Sequence, residues 1–525
     1  MKLKKMGMLL ASGMLASGLL AGCGGKDASD TAAPAGQDRS ASGDQVVDVE
    51  VWGTNIGYKP VEKSSKLYEF YKEKLGVGVI NPYVEWNGGT NYLNQLNLKI
   101  AANEMPDLFV PQQGIEDNLA KNGAIADLTD LLPEYAPNVW SAIPEDIWKV
   151  VKANDPTGQG RIYYIPNVVE YGRYASMIRQ DWLDKLGLKM PTTQDEYVKV
   201  LEAFRDRDPN GNGQKDEIPT GGREEARWMD HLFAMYGVAM FEGYPDWDLY
   251  NGELTYSATT PNMKAALEFI AKLYKEGLID KESLLNTKDK WDGKIQSDKV
   301  GNYFHWVEQG NLIFENLEKS TGVKAEFAVM PVPKVEGYDG FYTMKKFASP
   351  LWVVKNNKDQ EKLQATLKLL NNVYDKKNWK DLYLGVEGMH YTMKDGKAVK
   401  LPDDKSTQEN QILNPATSVS TLDMSVELFN ETASADNKWA IDQVTRNMEE
   451  AQKYAKAIAG DGLPASIYEG YPDINNRTLY AEYATKIILG QYPIDKFDEF
   501  VEKWNKSGGE EVTKRAREWY AKVQQ

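Results

Sequence analysis

QVVDVEVW, Gln45–Trp52, alternates apolar and polar residues directly after a stretch without large apolar side chains. That period of two is the pattern of a half-buried β-strand. Gly53 and Thr54 end it, and a helical stretch runs on to about Leu75. A second strand is expected near Pro82–Trp86. After Gly88 and Gly89 a helix follows, whose Tyr92, Leu93, Leu96 and Ile100 make one apolar face, and Pro106 opens a strand at Asp107–Val110. Strand, helix, strand, helix, strand is the βαβ order. The predicted class is therefore α/β, with mainly parallel sheets flanked by helices.

Upstream, Met1-Lys-Leu-Lys-Lys5 precedes an apolar run, Met6–Leu20, and then Leu20-Ala-Gly-Cys23. The run is too short to span a bilayer and has the order of a secretory signal, residues 1–22. Leu-Ala-Gly-Cys resembles the bacterial lipobox, which implies lipidation of Cys23 and anchoring at the outer face of the cell membrane. Cys23 is the only cysteine in 525 residues, so no intrachain disulfide can form. Residues 23–45 are small and polar and form a flexible tether. Removing residues 1–22 takes away Lys2, Lys4 and Lys5, moving the formal charge from −15 to −18. Nucleic acid is excluded as a partner by that acidity. The rest is long enough for two domains.

Ile162–Ile178 reads as extended, broken by Pro166 and Gly172, and could carry the chain into a second lobe. Thr193-Gln-Asp-Glu196 is a capping-box start for a helix with Tyr197, Val200, Leu201 and Phe204 on one face. The helix runs into Asp208-Pro-Asn-Gly-Asn-Gly-Gln-Lys-Asp-Glu217. Oxygen side chains recur at Asp208, Asn210 and Asn212, Gly213 permits a sharp turn, Gln214 offers its carbonyl, and Asp216 and Glu217 close the run. This is the ligand rhythm of a calcium loop, except that Pro219 stands where a bidentate Glu is expected. A solvated Asn/Gly turn is the alternative. Helices are also expected over Pro261–Glu276 and around Leu363–Tyr374, strands over Lys299–Phe304, Glu326–Pro331 and Leu351–Val354, and a mostly helical C-terminal part.

The lipobox, Met105-Pro-Asp-Leu-Phe109, Arg179-Gln-Asp-Trp-Leu-Asp-Lys-Leu-Gly187, Pro191-Thr-Thr, Asp208–Pro219 and Gly385-Val-Glu-Gly388, in that order, resemble the family 1 extracellular solute-binding lipoproteins of ABC importers. Within that family the likeness is to the large, calcium-loop-bearing, alginate-binding members. It implies a two-lobed, periplasmic-binding-protein-like fold of type II with a hinge. Lobe 1 would comprise 46–168 plus 333–375, and lobe 2 would comprise 169–332 plus 376–525. It also implies a structural Ca2+ held by Asp208, Asn210, Asn212, Gln214, Asp216 and Glu217. The expected function is capture of an oligosaccharide between the lobes and delivery to importer permease subunits, by a monomer that touches the membrane only through its anchor.

Fourteen Trp and 29 Tyr against 14 Phe favour aromatic rings with a polar handle, which suit sugar faces and hydroxyls. Trp52 and Trp86 end expected strands, where ligand crevices open. Trp228, Trp306 and Trp352 lie in or beside polar passages, and Tyr174 lies near the first expected crossover. Glu387 and Tyr391 share a polar and aromatic loop that the resemblance adds to the ligand set. Trp504 and Trp519 fall on helical stripes and are expected in the core. Arg179 either meets an acidic sugar or pairs with Asp181 or Asp184. His231, His305 and His390 are scattered without metal-site spacing, and no Ser-His-Asp elbow, zinc helix or phosphate loop is visible. The expectation is a protein that is not an enzyme. A polysaccharide hydrolase, needing a carboxylate pair, and a peptide- or signal-binding lipoprotein are the alternatives.

Overall fold

The computed structural model describes residues 46–525 except 87–88, 113, 226, 395, 416–417, 432 and 434–435. The signal, Cys23 and the tether lie outside the described residues.

Two sheets organise the chain. The first runs, in spatial order, Val419–Ser420, Ile165–Val169, Phe347–Val354, Leu108–Phe109, Asp48–Trp52 and Gly78–Ile80. The second runs Phe327–Val329, Tyr174–Arg179, Val300–Trp306 and Ile218–Thr220. Asp48–Trp52 sits between two parallel partners, as the βαβ order requires. Phe347–Val354, however, pairs antiparallel with both its neighbours, and Tyr174–Arg179 does the same in the second sheet. The sheets are thus mixed where the sequence predicted mainly parallel ones, because these two strands enter from the opposite end. The chain passes from the first sheet to the second within Glu170–Arg173 and returns between Met330 and Lys346. Val419–Ser420 then pairs with Ile165–Val169, so part of the C-terminal half also joins the first sheet.

The strand expected at Pro82–Trp86 is displaced to Gly78–Ile80. Pro82 has no N–H to give a ladder, and Asn81 and Glu85 make only isolated bridges. The helices follow the sequence closely. Thr90–Ala101 buries Tyr92 and Leu96. In Gln194–Asp206 the Thr193 hydroxyl accepts from the Glu196 N–H while the Glu196 carboxylate returns to the Thr193 N–H. Pro261–Lys275 starts from a Thr260 cap. Trp504 and Trp519 are buried, as their stripes required. Among the described residues no helix is long and apolar enough to cross a membrane.

One large core packs against the first sheet, extends into the C-terminal helices and also takes in Ile178 of the second sheet with Trp182, Tyr197 and Phe204 on the helices beside it. A second gathers on the other sheet around Tyr174, Trp228, Phe304 and Phe327.

Candidate functional site

At one end of the two central strands of the second sheet the antiparallel register sets Trp306 opposite Tyr174. The Tyr174 ring lies 5.1 Å from Phe241, 6.0 Å from Trp306 and 6.4 Å from Trp228, and stacks on Phe304 at 6.1 Å. Trp228 in turn stacks on His305 at 4.9 Å. Cations flank the indoles: Arg223 is 4.3 Å from the Trp228 ring and Arg173 is 4.8 Å from that of Trp306. Tyr174 and Trp228 are each 6% exposed, whereas Trp306 is half-buried and keeps part of its surface open.

This arrangement is held by unusual backbone. Trp228 has φ +65°, and Glu224, Glu225 and Glu242 are also left-handed. Bulky residues rarely adopt that region, and such strain gathers at ligand clamps and active sites. Two glycines permit it. A Cβ on Gly222 would meet the Arg227 carbonyl at 2.2 Å, and one on Gly243 would meet the Arg227 backbone at 2.8 Å. The loop carrying Trp228 is therefore pressed directly against its neighbours.

Polar groups in the cluster are partly committed. The Tyr174 hydroxyl donates to Glu242, and burial together with that carboxylate pushes its pKa up. Tyr171 OH and Arg173 Nε both donate to Glu308 Oε1, the latter over 2.8 Å. His305 is neutral: burial, reinforced by Arg223 and Lys288, lowers its pKa to about 3. Trp228 Nε1, Arg223 Nε and Glu308 Oε2 are buried without a partner among the described residues. Such orphans cost free energy unless a bound group or water meets them. Aromatic faces with a few unspent donors and acceptors make a surface suited to binding a polar ring compound.

Of the eight candidates read from sequence, Tyr174, Trp228 and Trp306 come together here. Trp52 and Trp352, 3% and 1% exposed, lie inside the first core, where neither ring has an open face. Trp86 is half-buried against that core, 5.6 Å from Tyr92, and does not end a strand. Glu387 is exposed and Tyr391 half-buried, within the electrostatic reach of Lys74, Lys380 and Asp381. Arg179 is spent on Asp181 and Asp298. Sequence reasoning did not single out Arg173, Arg223, Glu242 or Glu308. Arg223 stood within the polar run before Trp228, but nothing in its spacing distinguished it.

The Asp208–Glu217 loop lies beyond the helix Gln194–Asp206. Asp208 accepts from the N–H groups of Gly211, Asn212 and Gly213, and Asn212 accepts from that of Gln214. Asp216 pairs with Lys299 at 2.9 Å and accepts from Asn212, which together lower its pKa. Glu217 differs. Both its carboxylate oxygens are buried without a partner among the described residues, and its pKa is raised by burial and by the nearby Asp208 and Asp216. Among the described residues no three His, Cys, Asp or Glu side chains form a ready metal centre. A cation here would thus draw on amide and backbone oxygens as well. The orphaned Glu217 oxygens facing like charge fit a hard cation of that kind.

Residues 58–379 match the family model described as bacterial extracellular solute-binding protein. The α/β fold with two mixed sheets is that of type II solute-binding proteins, and the chain belongs to the bacterial extracellular solute-binding protein family. It is similar to lipoprotein LipO of Bacillus subtilis (strain 168), at 28% identity over 83% of this chain and 86% of that protein. It is also 33% identical to the fructooligosaccharide ABC transporter substrate-binding protein FusA of Streptococcus pneumoniae serotype 4, over 48% of this chain and 47% of that one. Among solved structures, the S. pneumoniae FusA EF-hand mutant in complex with fructo-nystose superimposes with a TM-score of 0.62 at 20% identity, covering 91% of this chain and 99% of that one.

Proposed function

We propose that the solute is an oligosaccharide, held against Trp306 with Tyr174 and Trp228 as the layer beneath and delivered to the permease subunits of an ABC importer. The observation that carries this is the half-buried Trp306 ring within a cluster that holds orphaned hydrogen-bonding atoms. An indole covers the C–H face of a sugar while such atoms take its hydroxyls. The fructooligosaccharide in the FusA name supports the same class of ligand. No chemistry is required of the protein: it binds, closes and releases. The lobes are 46–168 plus 333–375 and 169–332 plus the remainder, except that Asp403, Glu409, Asn410 and the strand Val419–Ser420 bond to the first lobe and Tyr342 lies in the second core. Ligand bridging them shifts an open–closed equilibrium.

Asp208, Asn210, Asn212, Gln214, Asp216 and Glu217 hold a structural Ca2+, which neutralises the buried Glu217 carboxylate. The EF-hand in the FusA structure's description supports that reading. Cys23 carries the lipid that keeps the monomer at the outer face of the membrane, as the LipO likeness suggests. Native mass spectrometry of protein purified from its source tests the ligand class. A retained adduct with a mass of hexose, pentose or uronate repeats is expected, and a retained peptide would overturn it.

A further inference from the structure

Glu308 follows the strand Val300–Trp306 by two residues, and its side chain is only 11% exposed. Its two oxygens differ sharply. Oε1 takes both the Tyr171 hydroxyl and Arg173 Nε, while Oε2 is buried with no partner among the described residues. The same Arg173 lies against the Trp306 ring, so one carboxylate orients both a cation and the aromatic face it supports. Tyr171 and Arg173 belong to the segment that joins the two sheets, and Ser425, on the helix Leu422–Glu431, donates to the Tyr171 hydroxyl at 3.2 Å. Glu308 is therefore tied to the aromatic wall and to the crossover at once.

We propose that Glu308 determines specificity by accepting, through Oε2, a hydrogen bond from a ligand hydroxyl that lies over Trp306. This rests on the reading of the Trp306 cluster as the oligosaccharide site. A fixed, charged acceptor rejects a ligand lacking the matching hydroxyl, because the buried oxygen then stays unpaired.

The test is calorimetric titration of the soluble chain from residue 24 with nystose, xylotetraose and tetragalacturonate. For the probe that binds, Glu308→Gln is expected to lose about tenfold or more in affinity while its melting temperature stays close to wild type. The wild type is expected to discriminate by about tenfold against one monodeoxy analogue of that probe, and Glu308→Gln to discriminate no longer. Should Glu308→Gln not fold, Tyr171→Phe keeps the charge but loosens its orientation, and discrimination is expected to shrink. If Trp306→Ala abolishes binding but Glu308→Gln or Tyr171→Phe binds and discriminates like wild type, this inference is wrong and the site stands. If Trp306→Ala binds normally, or no probe binds the wild type, the site reading itself falls.

Discussion

Trp228 occupies a backbone region that its side chain disfavours, and the glycines around it show what keeps it there. At Gly243, φ is +80° and the space for a Cβ is already filled by Arg227. Gly243→Ala is expected to cost about 2 kcal/mol or more from strain and overpacking together, read from denaturant unfolding. A second prediction concerns protons. His231 is wholly buried against Thr220, and burial lowers its pKa to about 3. The unfolded chain binds that proton below about pH 6.5 while the folded chain refuses it, so stability falls as pH drops from about 6.5 toward 3. Asp230, raised to about 7 by burial, opposes this, since its folded form keeps a proton that the unfolded form has lost. His231→Gln should therefore gain stability relative to wild type as pH falls from about 7 to 5, and a wild-type-minus-variant difference in melting temperature that stays constant over that range would contradict it. At this scale the sequence was informative about residue type only. Tyr and Trp counts pointed to rings with a polar handle, but Trp228 and Trp352 both stood in polar passages, and only packing places Trp228 in the cluster around Tyr174 and Trp352 in the first core.

Elements with local signals were the most legible. Thr193 and Glu196 form their reciprocal cap from four residues of sequence, and Thr193→Ala should remove about 1 kcal/mol of stability, measurable by chemical denaturation. The short second strand was misplaced for an equally local reason: Gly78–Ile80 is three residues long, too short to show alternation, while Pro82–Trp86 imitates a strand but begins with a proline that has no N–H, and its Trp86 N–H makes only a bridge to the Asn55 carbonyl. The Asp208–Glu217 loop makes the clearest prediction. Calcium should raise the melting temperature and a chelator lower it, because the cation relieves Glu217 of its like-charged neighbours. Glu217→Gln should blunt that response. Ligand affinity of the folded protein should not change, and a chelator that abolished binding without lowering the melting temperature would place the loop at the site instead.

For the whole molecule, the α/β class was legible because βαβ order is written in short-range periodicity. Strand direction was not. Phe347–Val354 runs against its neighbours only because the chain returns from the second sheet, and that return joins residues 179 to 246 positions apart. The aromatic cluster has the same origin: Tyr174, Trp228 and Trp306 meet through sheet register and a strained loop, neither of which has a sequence period. Binding should therefore require the folded second sheet, with ligand stabilising the fold as the logarithm of its concentration over its dissociation constant. The most direct test is calorimetric titration of the soluble chain with a panel of plant, microbial and host oligosaccharides, in wild type and Trp306→Ala. The account predicts saturable binding of at least one oligosaccharide by the wild type and a loss of about tenfold or more in the variant. Equal affinity in the two proteins, or no binding across the panel, would contradict it.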